Sequence, residues 1–593
     1  MSSPADPPAP RAPGWEAARV PVVRGLALGV PGLLLAAWLH PMAVATEEHW
    51  LLFQLTSAAA VLLVLRATLG PRLEALSDVA LIVLIGVGLD LNAASGAGHL
   101  AAAAGVAAVA ALVAHFAGLR VALAAGGVAL LGAVATAEPA LPRQVHTWNQ
   151  YHYVLGTKYF AEVGYEDLYI ATVLADAEGP QKFSGVRQVR DMRDYDRFLS
   201  RADMQVRAKE TGLRARFSDE RWAEFQHDLA VFYPLMGAKH WPSVVGDLGF
   251  NPSPVWVAIH QPLLRWVPLS ADTLRMFAAL QLPAYALTFG GACWAFGLRA
   301  TLWIVLWNLL FFGSRGRIYG GYWSYDWLLL VLWAAIFLVR ARPALAAIPV
   351  AIAGLMRGFG GLLALGPTVH AVVRLVRDRK IDVATGRFVL ALGVAMALLL
   401  AFSTTAGRGT EAWGDWADKI AHHSMRISTG GRHLGLKVLF GEDWSVPGHT
   451  EDLDVRRQVY AGQSWAYHLC AGLLGVWTLW VARRRPVLDA ALLGLIPAFG
   501  FMVLSRYYYA AWSVLFLLGT REGDRAARLP VSLGLFGVLM LHEGLFSVEG
   551  TTPDGRHQDV NLYLLLLAVV TLGYYTVVDL RGKKQLLVES TPA

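Results

Sequence analysis

Charge is what this sequence has least of. Of its 593 residues only 16% are Asp, Glu, Lys or Arg, against 55% hydrophobic, and the mean hydropathy is +0.45. A soluble globular chain carries about 25% charge, so a water-soluble enzyme is excluded. Cysteine is nearly missing as well: Cys293 and Cys470 both lie inside apolar runs, where they read as small buried hydrophobes and offer no disulfide framework. There is no Gly-rich phosphate loop and no Rossmann pattern, so no nucleotide cofactor is expected. His422 and His423 are adjacent, not four apart, and point to different faces of a helix, so no metal site is expected there.

What is present is a series of apolar runs of roughly 18 or more residues, the signature of membrane-spanning helices. The few charges are gathered. Residues 138–252 hold 14 Lys/Arg and 16 Asp/Glu, and residues 407–463 hold 7 and 8. The first of these has the charge density of a water-exposed domain. The remaining 421 residues carry 30 basic and 20 acidic groups, so two near-neutral polar insertions interrupt a basic, apolar scaffold. The net charge of +7 then reads as cytoplasmic-loop Lys and Arg and not as a nucleic-acid surface.

The first twenty residues are rich in Pro and Ala and lack a small-residue cleavage site after a short apolar core, which predicts a cytoplasmic tail and no signal peptide. Five spans are expected over 21–137, with Arg19, Arg24, Arg66, Arg72 and Arg120 on one side and Glu47 and Glu48 on the other. The positive-inside rule puts the basic side in the cytoplasm. Later clusters at Arg299, Arg340 and Arg342, Arg374 to Lys380, Arg483 to Arg485, Arg521 to Arg528 and Arg581 to Lys584 keep to that side if spans lie near 271–297, 300–313, 325–339, 386–404, 464–482, 486–503, 506–520, 529–546 and 560–579. Residues 343–373 must then enter and return as a half-helix hairpin, broken at the glycines of RGFGG, 357–361.

The expected fold class is all-α: a polytopic bundle of about fourteen spans plus the hairpin. Its parts are a tail (1–20), a five-span module (21–137), a large external loop domain with a re-entrant helix (138–270), central spans and hairpin (271–406), an external loop with an interfacial helix (407–463), C-terminal spans (464–580) and a second cytoplasmic tail (581–593). Both polar insertions face the same aqueous compartment. The Ala/Arg/Gly-rich composition suggests a GC-rich bacterial source, hence an inner membrane with its loops periplasmic or extracellular.

Within the large insertion, Thr147 is a candidate cap for a helix with Tyr151, Leu155 and Tyr159 on one stripe and Asn149, His152 and Tyr153 on another, ending at Gly164. A second helix should begin at Ser218, with Asp219 and Glu220 in its first turn and Trp222, Phe225, Leu229 and Phe232 on its apolar face. FNPSPVWVAIHQPLLRWVP (250–268) is too short and too proline-broken to span, and fits a re-entrant helix. In EAWGDWADKIAHHSMR, Trp413, Trp416 and Ile420 form an apolar stripe opposite Lys419, His422 and Arg426, as in an interfacial helix.

Ionisable residues at membrane depth are functional candidates. Asp326 opens an apolar run just after Arg315 and Arg317, Arg357 sits at the hairpin apex, and Arg506 leads RYYYAAW. Guanidinium forks suit a lipid-linked phosphate, although interfacial arginines also snorkel to headgroups. Asp90 and Asp489, near span ends, read as satisfied termini.

The order of these parts resembles the glycosyltransferase-C superfamily, most closely the polyprenyl-phosphate-mannose-dependent mannosyltransferases. The counterparts are NQYHYVLGTKYFAEVGYEDLY (149–169), FNPSPVWVAIHQPLLRWVP (250–268), GLMRGFGGLLALGP (354–367) and SRYYYAAW (505–512). The resemblance implies an inverting transfer of a sugar from a polyprenyl-phosphate donor, itself the co-substrate, to a hydroxyl on a glycan or lipid acceptor. The family's external-loop carboxylate falls here on Asn149, and an amide is no general base. The resemblance therefore shifts that role to another carboxylate, Asp176 first and Glu178 second, with Glu166 and Asp167 further candidates. It also implies Arg357, Arg506, Arg315 and Arg317 at the donor phosphate, and His146, Asn149, His152, Lys158 and Asp326 around sugar and acceptor. The alternative is a non-enzymatic lipid or polysaccharide transporter or scaffold that retains the fold without the catalytic acid. Transporters often show internal repeats; none is evident between the two halves.

Overall fold

The computed structural model describes residues 145–183, 185–311, 320–427, 433–445, 450, 452–519 and 553–589. All of them belong to one compact unit. The expected spans over 21–137 and 529–546, and the candidates Arg315 and Arg317, lie outside the described residues.

The described chain is mostly helical, with two short two-stranded sheets. Five of its helices are long and apolar enough to cross a membrane: Ala271–Phe296, Phe359–Asp378, Val383–Ser403, Leu453–Ala482 and Val560–Leu580, with shorter apolar helices at Asp326–Val339, Pro343–Arg357 and Val487–Phe501.

The large polar insertion folds around its aromatic residues. Helix α1, Leu168–Glu178, is followed by a hairpin of β1 (Gln188–Arg190) and β2 (Phe198–Ser200) and by α2, Arg201–Glu210. Helix α3, Asp219–Met236, starts where expected: the Ser218 hydroxyl accepts the Arg221 N–H, and Trp222, Phe225, Leu229 and Phe232 are buried. Apolar spacing and a capping Ser suffice to define such a helix. Helix α4, Pro254–Leu264, is capped by Ser253, has Pro at its first position and is buried along most of its length.

The stretch 147–164 departs from expectation. Its cap is His146, whose Nδ1 accepts the Asn149 N–H at 3.2 Å, so Thr147 lies inside the helix. The helix is also discontinuous. Thr147–Gln150 passes into a π turn, Tyr151–Leu155, and a further break falls at Tyr159. Gly156 permits this stretch to lie against Phe250, since a Cβ there would sit 2.6 Å from that ring.

In the apolar part, α5 (Asp326–Val339) and α6 (Pro343–Arg357) pack together, and α6 ends at Gly358, whose φ of +67° a side chain would resist. A 3₁₀ turn, Phe359–Ala364, leads into α7, Leu365–Asp378. The break thus falls at the predicted glycines, but α7 runs past 373 and packs on α8 (Val383–Ser403), Leu453–Ala482 and Val487–Leu493. Arg506–Leu517, expected as a span, is a 3₁₀ helix with Tyr509 to Leu517 buried, and the Trp307 indole donates to the Tyr509 carbonyl at 3.0 Å.

Helix α9, Glu411–Ile427, does not rest only on its apolar stripe. Lys419, expected on the polar side, is 4% exposed and donates to the Tyr195 hydroxyl at 2.8 Å and the Leu248 carbonyl at 3.2 Å. Trp416 donates to the Asn251 carbonyl and Trp413 to the Ser403 hydroxyl. The helix is therefore docked onto the large insertion and the end of α8.

Candidate functional site

A short loop, residues 320–325, leads into Asp326 at the start of α5. Its backbone is held from two separate segments, and one of its side chains from a third. The Gly320 carbonyl accepts from the His146 N–H at 2.8 Å and from the Gln150 amide at 2.9 Å. The Gly321 carbonyl accepts from the Gln281 amide. The Tyr322 N–H donates to Asn149 Oδ1 at 2.8 Å, and the Tyr322 hydroxyl bonds His260 Nδ1 at 3.1 Å. Within this loop Trp323 has φ +46°, a conformation that costs energy for a bulky side chain and persists only where surrounding contacts over-determine it.

Asp326 is 8% exposed. Its Oδ1 accepts the Trp327 N–H at 2.7 Å, while Oδ2 is buried with no hydrogen-bond partner. Arg357, the last residue of α6, lies over the rings of Tyr153 (5.3 Å) and Trp256 (5.6 Å), and its Nε is also buried without a partner. Tyr508, Asp326 and Tyr507 complete its electrostatic surroundings. Tyr508 itself packs on Trp327 at 5.3 Å and on Phe359 at 5.1 Å. Asp326 and Arg357 thus influence one another without forming an ion pair, and each keeps a buried polar atom without a hydrogen-bond partner. Buried polar groups are normally satisfied, so a carboxylate oxygen and a guanidinium N–H left open together are suited to a ligand with both an anionic group and a hydroxyl.

The other residues singled out from sequence are placed as follows. Asn149 and His146 join the clamp on 320–322. Arg506 begins the segment that carries Tyr507 and Tyr508. His152 is buried with Nδ1 bonded to the Trp148 carbonyl at 2.9 Å and Nε2 to the Tyr169 hydroxyl at 2.7 Å, which in turn accepts the Gly249 N–H at 3.0 Å. These contacts fit a neutral ring, and burial holds its pKa below the ordinary histidine value. The Lys158 ammonium is fully buried and engaged by Asp228 at 2.6 Å, Glu224 at 2.8 Å and the Val267 carbonyl at 2.8 Å.

Asp176 and Glu178 make contacts of a different kind. The Asp176 carboxylate accepts the Lys182 and Phe183 N–H groups, both at 2.7 Å, and closes the turn after α1. Glu178 is exposed and accepts from the Trp222 indole at 2.7 Å and the Gln226 amide at 3.2 Å. None of these partners belongs to the Asp326–Arg357 site. Asp167 pairs with Arg216 at 2.9 Å, and Glu166 pairs with Arg193.

Sequence reasoning missed Gln150, Trp256, His260, Gln281 and Tyr322. A signal was present in GGYWSYD, where two glycines and three aromatics directly precede an acid that opens an apolar run, and in the four-residue spacing of Trp256 and His260, whose rings lie 3.9 Å apart. Among the described residues no group of three or more His, Cys, Asp or Glu could hold a metal ion. No family model, curated protein or solved structure matches the chain.

Proposed function

We propose that this chain is a membrane glycosyltransferase of the glycosyltransferase-C type, which moves a sugar with inversion from a polyprenyl-phosphate donor to an acceptor hydroxyl on the outer face of a bacterial inner membrane. The observation that carries the reading is the Arg357 site: a buried guanidinium with an unpartnered N–H at the break of an apolar helix, walled by Tyr153 and Trp256 and within electrostatic reach of the Asp326 carboxylate, which keeps an unpartnered oxygen. The guanidinium compensates the charge that grows on the departing phosphate, and the aromatic faces suit the apolar face of a sugar ring. Arg506, at the head of the segment that carries Tyr507 and Tyr508, is read as a second contact to the donor phosphate. The donor is already activated, so no cofactor takes part.

The test is transfer by the purified full-length protein in lipid nanodiscs, from polyprenyl phosphate carrying labelled mannose, glucose or arabinose to a bacterial membrane lipid extract. Wild-type transfer from one of these donors, lost in Arg357→Ala, supports the reading. A second reading, a lipid-phosphate carrier or scaffold without chemistry, draws on the amide at Asn149 and on the structural engagement of Asp176 and Glu178. It predicts polyprenyl-phosphate binding that depends on Arg357, with no transfer from any donor.

A further inference from the structure

If the site transfers a sugar, the acceptor hydroxyl needs a proton acceptor, and Asn149 cannot serve. Asp176 and Glu178 are occupied by the turn at 182–183 and by Trp222 and Gln226. Asp326 has neither obstacle: it is buried, one oxygen is anchored by the Trp327 N–H, the other has no hydrogen-bond partner, and its charge is felt by the Arg357 guanidinium.

Resting on the proposed transferase reading, we propose that Asp326 Oδ2 is the proton acceptor of the reaction and that Asn149 is a positioning residue, which holds Asp326 in place through the Tyr322 N–H. Asn149 then has a use that needs no basicity: its Oδ1 fixes the backbone four residues before Asp326. His146 and Gln150, from the same helical stretch, fix Gly320 beside it. The loop's strained Trp323 backbone fits a segment whose shape is imposed from outside.

The step balances as follows. The acceptor oxygen bonds to the anomeric carbon as its proton passes to Asp326 Oδ2. The bond from that carbon to the donor phosphate oxygen breaks, and its electron pair leaves with the phosphate. The products are the new glycoside and polyprenyl phosphate, which carries one more negative charge than the donor and lies against Arg357. Asp326 then returns its proton to water.

Asp326→Asn keeps an acceptor for the Trp327 N–H, so folding should survive. Transfer is measured in nanodiscs with the donors named above, together with binding of polyprenyl phosphate. The expected result is a turnover loss of about 10²- to 10⁴-fold, the usual contribution of a general base, with polyprenyl-phosphate affinity close to wild type. Asn149→Ala should lower kcat more than it raises the donor KM, and Asn149→Asp, which still accepts the Tyr322 N–H, should restore most of the rate. Wild-type turnover in Asp326→Asn overturns the inference and leaves the transferase reading intact. Absence of transfer by the wild-type protein from every donor overturns both. Equal loss in Asn149→Ala and Asn149→Asp overturns the positioning role.

Discussion

Asn149 Oδ1 accepts the backbone N–H of Tyr322 at 2.8 Å across 173 residues of sequence. This bond ties the opening of the large polar insertion to the loop that delivers Asp326 into the apolar part of the protein. With the His146 and Gln150 bonds to Gly320, it makes the loop an extension of the insertion, so that a carboxylate at the start of an apolar helix is set by residues of the polar domain.

Loss of this one bond should be measurable without any assay of activity. In Asn149→Ala the Tyr322 amide loses its acceptor, worth about 1 kcal/mol, and its hydrogen exchange should quicken about fivefold. Unchanged exchange at Tyr322 would mean that the clamp does not depend on Asn149.

Lys158 and Asp228 form a fully buried pair, and Asp228 also accepts from the Tyr159 hydroxyl at 2.8 Å and the Leu269 N–H at 3.3 Å. Removing one partner strands the other charge, so Lys158→Met should destabilise the protein by about 3–5 kcal/mol. A reversible unfolding measurement on the full chain checks this. A substrate role for Lys158 would instead show as lost turnover at unchanged stability.

The capping contacts of Asp176 lead to the same split between stability and binding. Asp176→Ala removes two charge-assisted hydrogen bonds, each worth about 1.5–3 kcal/mol, and should lower Tm markedly. Polyprenyl-phosphate affinity of the folded protein should stay at the wild-type value. Loss of affinity at unchanged Tm would return Asp176 to the site.

Docking of α9 should depend on pH. Burial pushes the Lys419 ammonium down to about 7 from 10.5, against the raising influence of Glu166 and Asp247. Between those values the undocked lysine binds the extra proton, so docking strengthens as pH rises from about 7 to about 10.5, by at most ~1.4 kcal/mol per pH unit. Below pH 7 the cost of burying the charge is present in full. His423, pushed down to about 4 by burial and by Lys419, is neutral when docked, so docking weakens further as pH falls from 6.5 to 4. Hydrogen exchange along α9 between pH 7 and 10 should show the trend in wild type and a flat profile in Lys419→Met.

Much of this was legible in the sequence where a pattern is local. The start of α3 at Ser218, its buried stripe, the short helix after Asn251 and the helix break at the glycines after Arg357 follow from caps, periodicity and glycine. Asp326 and Arg357 stood out because charge at membrane depth is costly. What could not be read was which acid lies within electrostatic reach of Arg357. Asp176 and Glu178 were reached by their nearness in sequence to an expected motif, whereas the grouping of Asp326, Arg357, Tyr153 and Trp256 depends on packing among segments up to about 200 residues apart. Lys419 was misplaced for a related reason. Helical periodicity assigns it to a polar face, but that face is covered by Tyr195 and Leu248 of another segment, and periodicity carries no information about a partner surface.

The most direct measurement is the affinity of the full-length protein in nanodiscs for polyprenyl phosphate, compared between wild type and Arg357→Ala. A charge-assisted contact of this kind predicts a loss of about tenfold to a hundredfold in the variant. Equal affinity in the two proteins would contradict the assignment of Arg357 as the donor-phosphate site.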